Sequence, residues 1–539
     1  MKKERLFGIV LAGALIVGIL SACGVPADEQ VQQAQTPPAQ QAPAEQAVTP
    51  TPSADVAETP EGRPIGRGLT LALNAETPSI APARHTALIG YYKNELTHNG
   101  LIRLGYQNLE PILDLAESFT ALSDTLFEFT LRQGVRFHNG DYLTAYDVAA
   151  SLEYVRTYPE TRSFHNSVVA WEVVDRYTII LDSGVPDARM FFDLSFQPNF
   201  IMPMSLIEAG HDFQTDPVGS GPFVFEEWRS GDFLTFRAFE DYFDRDRSPM
   251  IEYITWRIIP EGASRTIALE TGEVDYVMDV SFPDIPRMEE NPDITILQRP
   301  SATFQYFIFN TDRPQFQNVY VRHAIDMALD REAMLIASLD GFGIPIWTSM
   351  PPAFAGATTE GTRSFDPDGA RALLAEHNVD PATLDFDMMV FNEEQRRRAE
   401  VAQSNLADIG IATTITMIEF ATWLTVTLGD TFDTSFANFT VSNLPTLMYN
   451  LMHYRNIDSQ NRARWNNPEL SALIDQGIAT IDDDARNAIF EEASRIANED
   501  AGFVGTNMTL IVRAFNSNLV VPEVAANGSM FFNMVHWAE

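Results

Sequence analysis

Apolar positions along this chain fall into blocks of different period. A basic start (Lys2, Lys3, Arg5) precedes an apolar run from Leu6 to Leu20, which closes in Leu20-Ser21-Ala22-Cys23. That run is shorter than the ~20 residues a membrane-spanning helix needs. Charge, then an apolar stretch, then small residues is the layout of a cleavable export signal, here over residues 1–22. From Val25 to Pro64 the pattern vanishes: Pro, Gln, Ala, Thr and Glu dominate, with no aromatic residue. Such a segment cannot bury enough apolar surface to offset its ordering entropy, so residues 23–67 are expected to be a disordered linker.

Near Gly68 a folded body begins. Leu69-Thr70-Leu71-Ala72-Leu73 alternates like a half-buried strand, and Phe127, Phe129 and Leu131 alternate with Glu128 and Thr130. Gly134 breaks that second strand, and Asn139-Gly140 supplies turn chemistry. Thr144 with Asp147 three residues on predicts a capped helix carrying Val148, Leu152 and Val155 on one face. Further strands are expected from Val173 to Leu181, Phe233 to Phe236 and Ile251 to Ile259. After residue 300 strands and helices alternate. Phe304–Phe309, Phe386–Val390 and Ile411–Ile418 read as strands. Helices are predicted around Val321–Leu329, from the cap Asp366-Pro367, from Glu394 to Ile409 before Gly410, and from Asp482 to Glu499. The fold class is α/β with mixed sheets.

Composition bounds the function. A chain of 539 residues, 45% hydrophobic with 36 Phe, has material for several domains and a large core. Its formal net charge of −38 disfavours nucleic acid, since phosphate binding needs clustered Lys and Arg. The acidity reads as a solvated surface, with attraction of cationic ligands as the functional alternative. The single cysteine leaves no disulfide or thiolate site in the folded part once Cys23 is set aside. Catalytic, phosphate-loop and dinucleotide motifs are missing, and the nine histidines stand singly. His323 beside Arg322 reads as structural. Asp482-Asp483-Asp484 suits a helix N-terminus. Asp241, Asp244 and Asp246 interleave with Arg245 and Arg247, and Gly219-Ser220-Gly221 is too short for a phosphate cradle. The expectation is no enzyme, no cofactor and no metal.

Resemblance adds more. Leu20-Ser21-Ala22-Cys23 resembles a bacterial lipoprotein signal, which implies a mature chain starting at a lipid-modified Cys23 on the outer face of the cytoplasmic membrane. Leu115-Ala116-Glu117-Ser118, Phe127 through Gly140 and Leu143-Thr144-Ala145-Tyr146-Asp147-Val148 resemble, in order, the signature stretch of the family 5 extracytoplasmic solute-binding proteins of oligopeptide, dipeptide and nickel ABC importers. Asp216 to Phe223 with Trp228, Ala268 to Asp275, Phe309-Asn310-Thr311 with Val321 to Arg331, and Gly429 to Asp433 continue the match.

The resemblance implies a two-lobed, periplasmic-binding-protein-like fold of type II with an extra domain and a hinge between lobes. One lobe would combine residues 68–97, 213–298 and 510–539, the extra domain 98–212, and the other lobe 299–509. The chain would cross near Arg299-Pro300 and Thr509, and a monomer would hand its solute to an ABC permease.

In peptide-binding members an aromatic residue and then an aspartate precede a proline and hold the peptide amine. The matching stretch here, Phe436 to Pro445, contains no Asp or Glu. An oligopeptide held through its backbone is the leading ligand, an oligosaccharide the alternative, and nickel the least supported. A lipid-tethered hydrolase and a sensor or adhesion protein are the rival classes. Candidate cleft residues are Tyr306, Asn310, Trp347, Trp423, Asn438, Phe439, Ser442 and Asn443. Core packing competes with binding for Trp423, and turn-fixing for Asn310.

Overall fold

Two long strands organise the protein. In the computed structural model, which describes residues 67–77, 79–84, 88–106, 109–158, 161, 164–352, 354–441 and 443–538, Ile294–Phe309 pairs antiparallel with Phe503–Asn516. The expected signal peptide, Cys23, the linker to Gly66 and Ser442 lie outside the described residues. The two strands run through an 11-stranded mixed sheet. Its order is Ala412–Met417, Asp385–Val390, Thr434–Thr440, Ile294–Phe309, Phe503–Asn516, Tyr276–Val277, Leu69–Leu73, Tyr253–Ile258, Phe233–Ala238 and Phe223–Arg229, with Gly343–Pro345 added on Phe503–Asn516. The long pair changes register between Pro300 and Phe304 and again between Gln305 and Tyr306. Such irregularities bend a strand pair and raise its local twist.

Helices Val319–Ala328 and Glu393–Asp408 cover one end of the sheet, burying Val321, Ala324, Ile325, Ala328, Ala399, Ala402 and Leu406 with Phe307, Phe309 and Phe386. At the other end Ala268, Leu269 and Met288 pack with Val277, Val512 and Ala514. A separate antiparallel sheet, Ala116–Ala121, Leu126–Leu131, Thr178–Asp182 and Ala170–Asp175, carries its own core of Phe127, Phe129, Leu131, Val148, Leu152 and Ile179.

Local chemistry explains most boundaries. Asp147 accepts from Thr144 N at 2.8 Å and starts helix Ala145–Val155. Asp366 accepts from Gly369 N ahead of Pro367–Glu376, and Asp482 from Ala485 N ahead of Asp483–Asp500. Gly410, at φ 88°, follows Glu393–Asp408. Two expectations need correction. Leu69–Leu73 is covered on both faces rather than half-buried, because it lies between parallel neighbours in the middle of the large sheet. The strand expected from Val173 to Leu181 is a hairpin, turned where Asp175 Oδ1 accepts from Tyr177 N at 2.8 Å.

Candidate ligand-binding cavity

Strand Thr434–Thr440 delivers Phe439 beside Phe304, and the chain then enters helix Leu444–Met452. Asn443 caps that helix by accepting from Thr446 N at 2.8 Å, with Pro445 in the first turn. Leu444, Leu447, Met448, Leu451 and Met452 are buried, which leaves Thr446, Tyr449 and Asn450 on the remaining face. Opposite stands the short helix Arg189–Leu194. It buries Met190, Phe192 and Leu194 and presents Arg189 and Asp193, four residues apart, on another face.

Between these two faces lies a cavity of about 780 Å³, a size typical of small-molecule clefts. Phe439, Thr446, Tyr449, Asn450, Asn456 and Gln460 line one side; Phe164, Asn166, Ser167, Asp187, Arg189, Asp193 and Phe196 line the other. Phe164 stacks on Phe196 at 4.8 Å between centroids, and Phe196 on Tyr91 at 5.0 Å. The sides touch where the Arg189 guanidinium lies 4.7 Å from the centre of the Tyr449 ring and where Ala188 N donates to Ile478 O at 2.9 Å.

Charge is concentrated on one side. Arg189 donates through Nε and Nη2 to the two oxygens of buried Asp187, at 2.9 and 2.7 Å. Burial alone would lower the Arg189 guanidinium, yet the Asp187 carboxylate raises it above its ordinary value. Half-buried Asp193 makes no ion pair among the described residues. Burial pushes its carboxyl up to about 7, against the pull of Ser167 and Arg189 and with a push from Asp187. The chemistry available is recognition of polar and aromatic groups; among the described residues no cluster of metal-ligating side chains occurs.

Of the described candidate residues, Phe439 lines this cavity. Tyr306 is buried between Phe304 (5.0 Å) and Phe503 (4.8 Å), and burial pushes its phenol well above the usual range. Asn310 donates to Asp430 O at 3.1 Å and Phe432 O at 2.7 Å, fixing the turn after its strand. Trp423 is buried, with Nε1 donating to Ser435 Oγ at 2.8 Å. Half-buried Trp347 lies near the Arg331 guanidinium, 5.9 Å from its ring centre. Asn438 is exposed opposite Gln305 in the ladder. Asn443 borders a void of about 10 Å³, too small for more than one water. The sequence reading missed Asp187, Arg189, Asp193 and Tyr449. The signal was there in Arg189 and Asp193, charges at helical spacing inside the apolar run Met190-Phe191-Phe192-Leu194.

Residues 110–461 match the model of the bacterial extracellular solute-binding proteins, family 5 (middle), and the chain belongs to this family of extracytoplasmic, two-lobed substrate-binding proteins of ABC transporters. Membership agrees with the expected solute receptor rather than an enzyme. Among its relatives is the glutathione-binding protein GsiB of Salmonella paratyphi A, 24% identical over 436 residues, covering 75% of this chain and 82% of that one. The fold is shared with HbpA2 of Haemophilus parasuis, at TM-score 0.81 and 22% identity over 88% of this chain and 100% of that one. It is shared also with the periplasmic binding protein DppA of Helicobacter pylori in complex with the peptide STSA, at TM-score 0.71 and 23% identity, with 88% and 99% covered.

Proposed function

We propose that this protein is the lipid-anchored substrate-binding component of an ABC importer. It captures an oligopeptide-like solute in the cavity between Phe439 and Asp193 and passes it, as a monomer, to a membrane permease. The lobes would be residues 68–97 with 213–298 and 510–539, and residues 299–509, with 98–212 as the extra domain. The register changes after Pro300 and Gln305 support a hinge there. The observation that carries the reading is the cavity's mixed lining. Side-chain amides of Asn450, Asn456 and Gln460 can pair with peptide groups, while Phe164, Phe196, Phe439 and Tyr449 offer aromatic surface. GsiB is named for binding glutathione, and DppA holds a peptide, which supports a peptide-like solute. Amides beside aromatic rings also suit sugar hydroxyls and ring faces, which keeps an oligosaccharide as the second reading.

The deciding experiment is mass spectrometry of small molecules released when the purified protein is denatured, followed by thermal-shift measurements with peptides and oligosaccharides. A solute at a hundredfold over its Kd stabilises by about 2.7 kcal/mol. If oligosaccharides alone raise the melting temperature, the peptide reading is wrong.

A further inference from the structure

Among the described residues, the cavity lining carries two carboxylates, Asp187 and Asp193, against one guanidinium, Arg189. Arg189 is already committed. Its Nε and Nη2 donate to Asp187, and its face lies over Tyr449. That leaves Asp193 as the charge without a counter-charge among the described residues. Beside it sits Ser167, 8% exposed, whose hydroxyl hydrogen-bonds to Asp193 and favours its ionised form. The described residues of the facing lining from Phe439 to Gln460 carry no charge. A partly buried carboxylate with one hydroxyl donor and no counter-charge is poorly satisfied alone, and a cation beside it supplies the missing charge.

We infer that Asp193, supported by Ser167, is the anchor for a cationic amine of the bound solute, on the side of the cavity opposite Phe439. This rests on the peptide reading and deepens it: the amine would be an ammonium group, and the aromatic and amide side from Phe439 to Gln460 would hold the rest. Arg189 is then a positioning residue, which fixes Asp187 and packs on Tyr449 instead of meeting the solute.

A pH signature follows. In the empty cavity the Asp193 carboxyl titrates near 7, with Asp187, Arg189 and Ser167 around it on its own side. Across the cavity stands uncharged Tyr449. One turn further on lies buried His453, whose imidazole burial lowers against the raising effect of Asp475. An ammonium group needs the ionised carboxylate, so binding releases a proton below about pH 7. Affinity falls as pH drops, by up to about tenfold per pH unit.

The test uses the purified full-length protein and two probes: a tetrapeptide pool with free amino termini, and the same pool N-acetylated. Calorimetry is run from pH 5 to pH 8 on wild type, Asp193→Asn and Ser167→Ala. Wild type should bind the free-amine pool about 10- to 100-fold more tightly, the range expected for a charge-assisted contact. Asp193→Asn should erase both this discrimination and the decline in affinity at low pH, and Ser167→Ala should reduce discrimination in part. If wild type binds both pools alike with no pH dependence, the anchor is refuted and peptide binding stands. Discrimination that survives in Asp193→Asn refutes it too. If neither pool binds wild type, the peptide reading fails and takes the anchor with it. The wild-type pH series keeps the test decisive even if a variant misfolds.

Discussion

Glu95 shows how burial moves a carboxyl group outside the ligand cavity. Tyr106 donates to its Oε1 at 2.9 Å, and burial pushes the group from 4.5 up to about 8, against the pull of Tyr106, Tyr91 and Arg103. Between those values the folded protein keeps a proton that the unfolded chain releases. Glu95 therefore costs stability as pH rises through the window, and the penalty is complete above about 8. Glu95→Gln keeps the shape and the acceptor for Tyr106. Its melting temperature should gain on wild type from pH 5 to about pH 8 and then level off; a constant difference would falsify the assignment. Gly221 makes a steric point. A Cβ there would lie 2.5 Å from Leu96 O and 2.6 Å from His98 N. Gly221→Ala should cost about 1–3 kcal/mol by overpacking, seen as a lower denaturation midpoint with unchanged slope. The glycines of Gly219-Ser220-Gly221 were visible in the sequence, but their reason was not. It lies in the backbone of residues 96–98, more than a hundred positions away, packed against them.

Helix Leu444–Met452 places Tyr449 and Asn450 in the cavity, so its cap bears on binding without touching solute. Asn443→Ala should lose about 1 kcal/mol of stability, while Asn443→Asp, which can still cap, should lose far less. Chemical denaturation of both variants, with peptide affinity measured alongside, checks this. If Asp fails to restore affinity although it restores stability, Asn443 itself meets the solute. Caps of this kind are why helix starts at Asp366-Pro367 and Asp482 were readable, since their signals are local. The long strands were not. Only Phe304–Phe309 stood out in Ile294–Phe309, because Gln298, Arg299 and Pro300 interrupt the apolar pattern. Their place in the sheet is set by Phe503–Asn516, which no local pattern reveals. The hairpin of residues 170–182 was hidden for a similar reason: its turn uses Asp175 with Arg176 and Tyr177 rather than glycine. The site followed suit. Phe439 was found because it lies next to the resemblance's own motif, whereas Asp193 comes from helix Arg189–Leu194, packed on the core of the four-stranded sheet, and joins the cavity only in three dimensions.

At the scale of the whole protein, the proposed anchor and the binding chemistry should be separable. The described residues of the cavity lining run from Leu104 to Asn527. On the proposed reading, the roughly forty residues after Cys23, poor in large apolar side chains, would serve as a tether that sets where the receptor is and leaves its orientation free. Holding a receptor near its permease raises effective concentration without a new contact. Cys23→Ser should therefore move the protein from the membrane fraction to the soluble fraction. The Kd for a peptide that wild type binds should stay unchanged by calorimetry, and the tenfold-per-unit fall in affinity below pH 7 should persist. Uptake by cells at low solute concentration should drop, and overproducing the soluble variant should restore it, because concentration replaces tethering. An altered Kd in Cys23→Ser would mean that the N-terminal segment reaches the cavity, and the separation of anchor from binding site would be wrong.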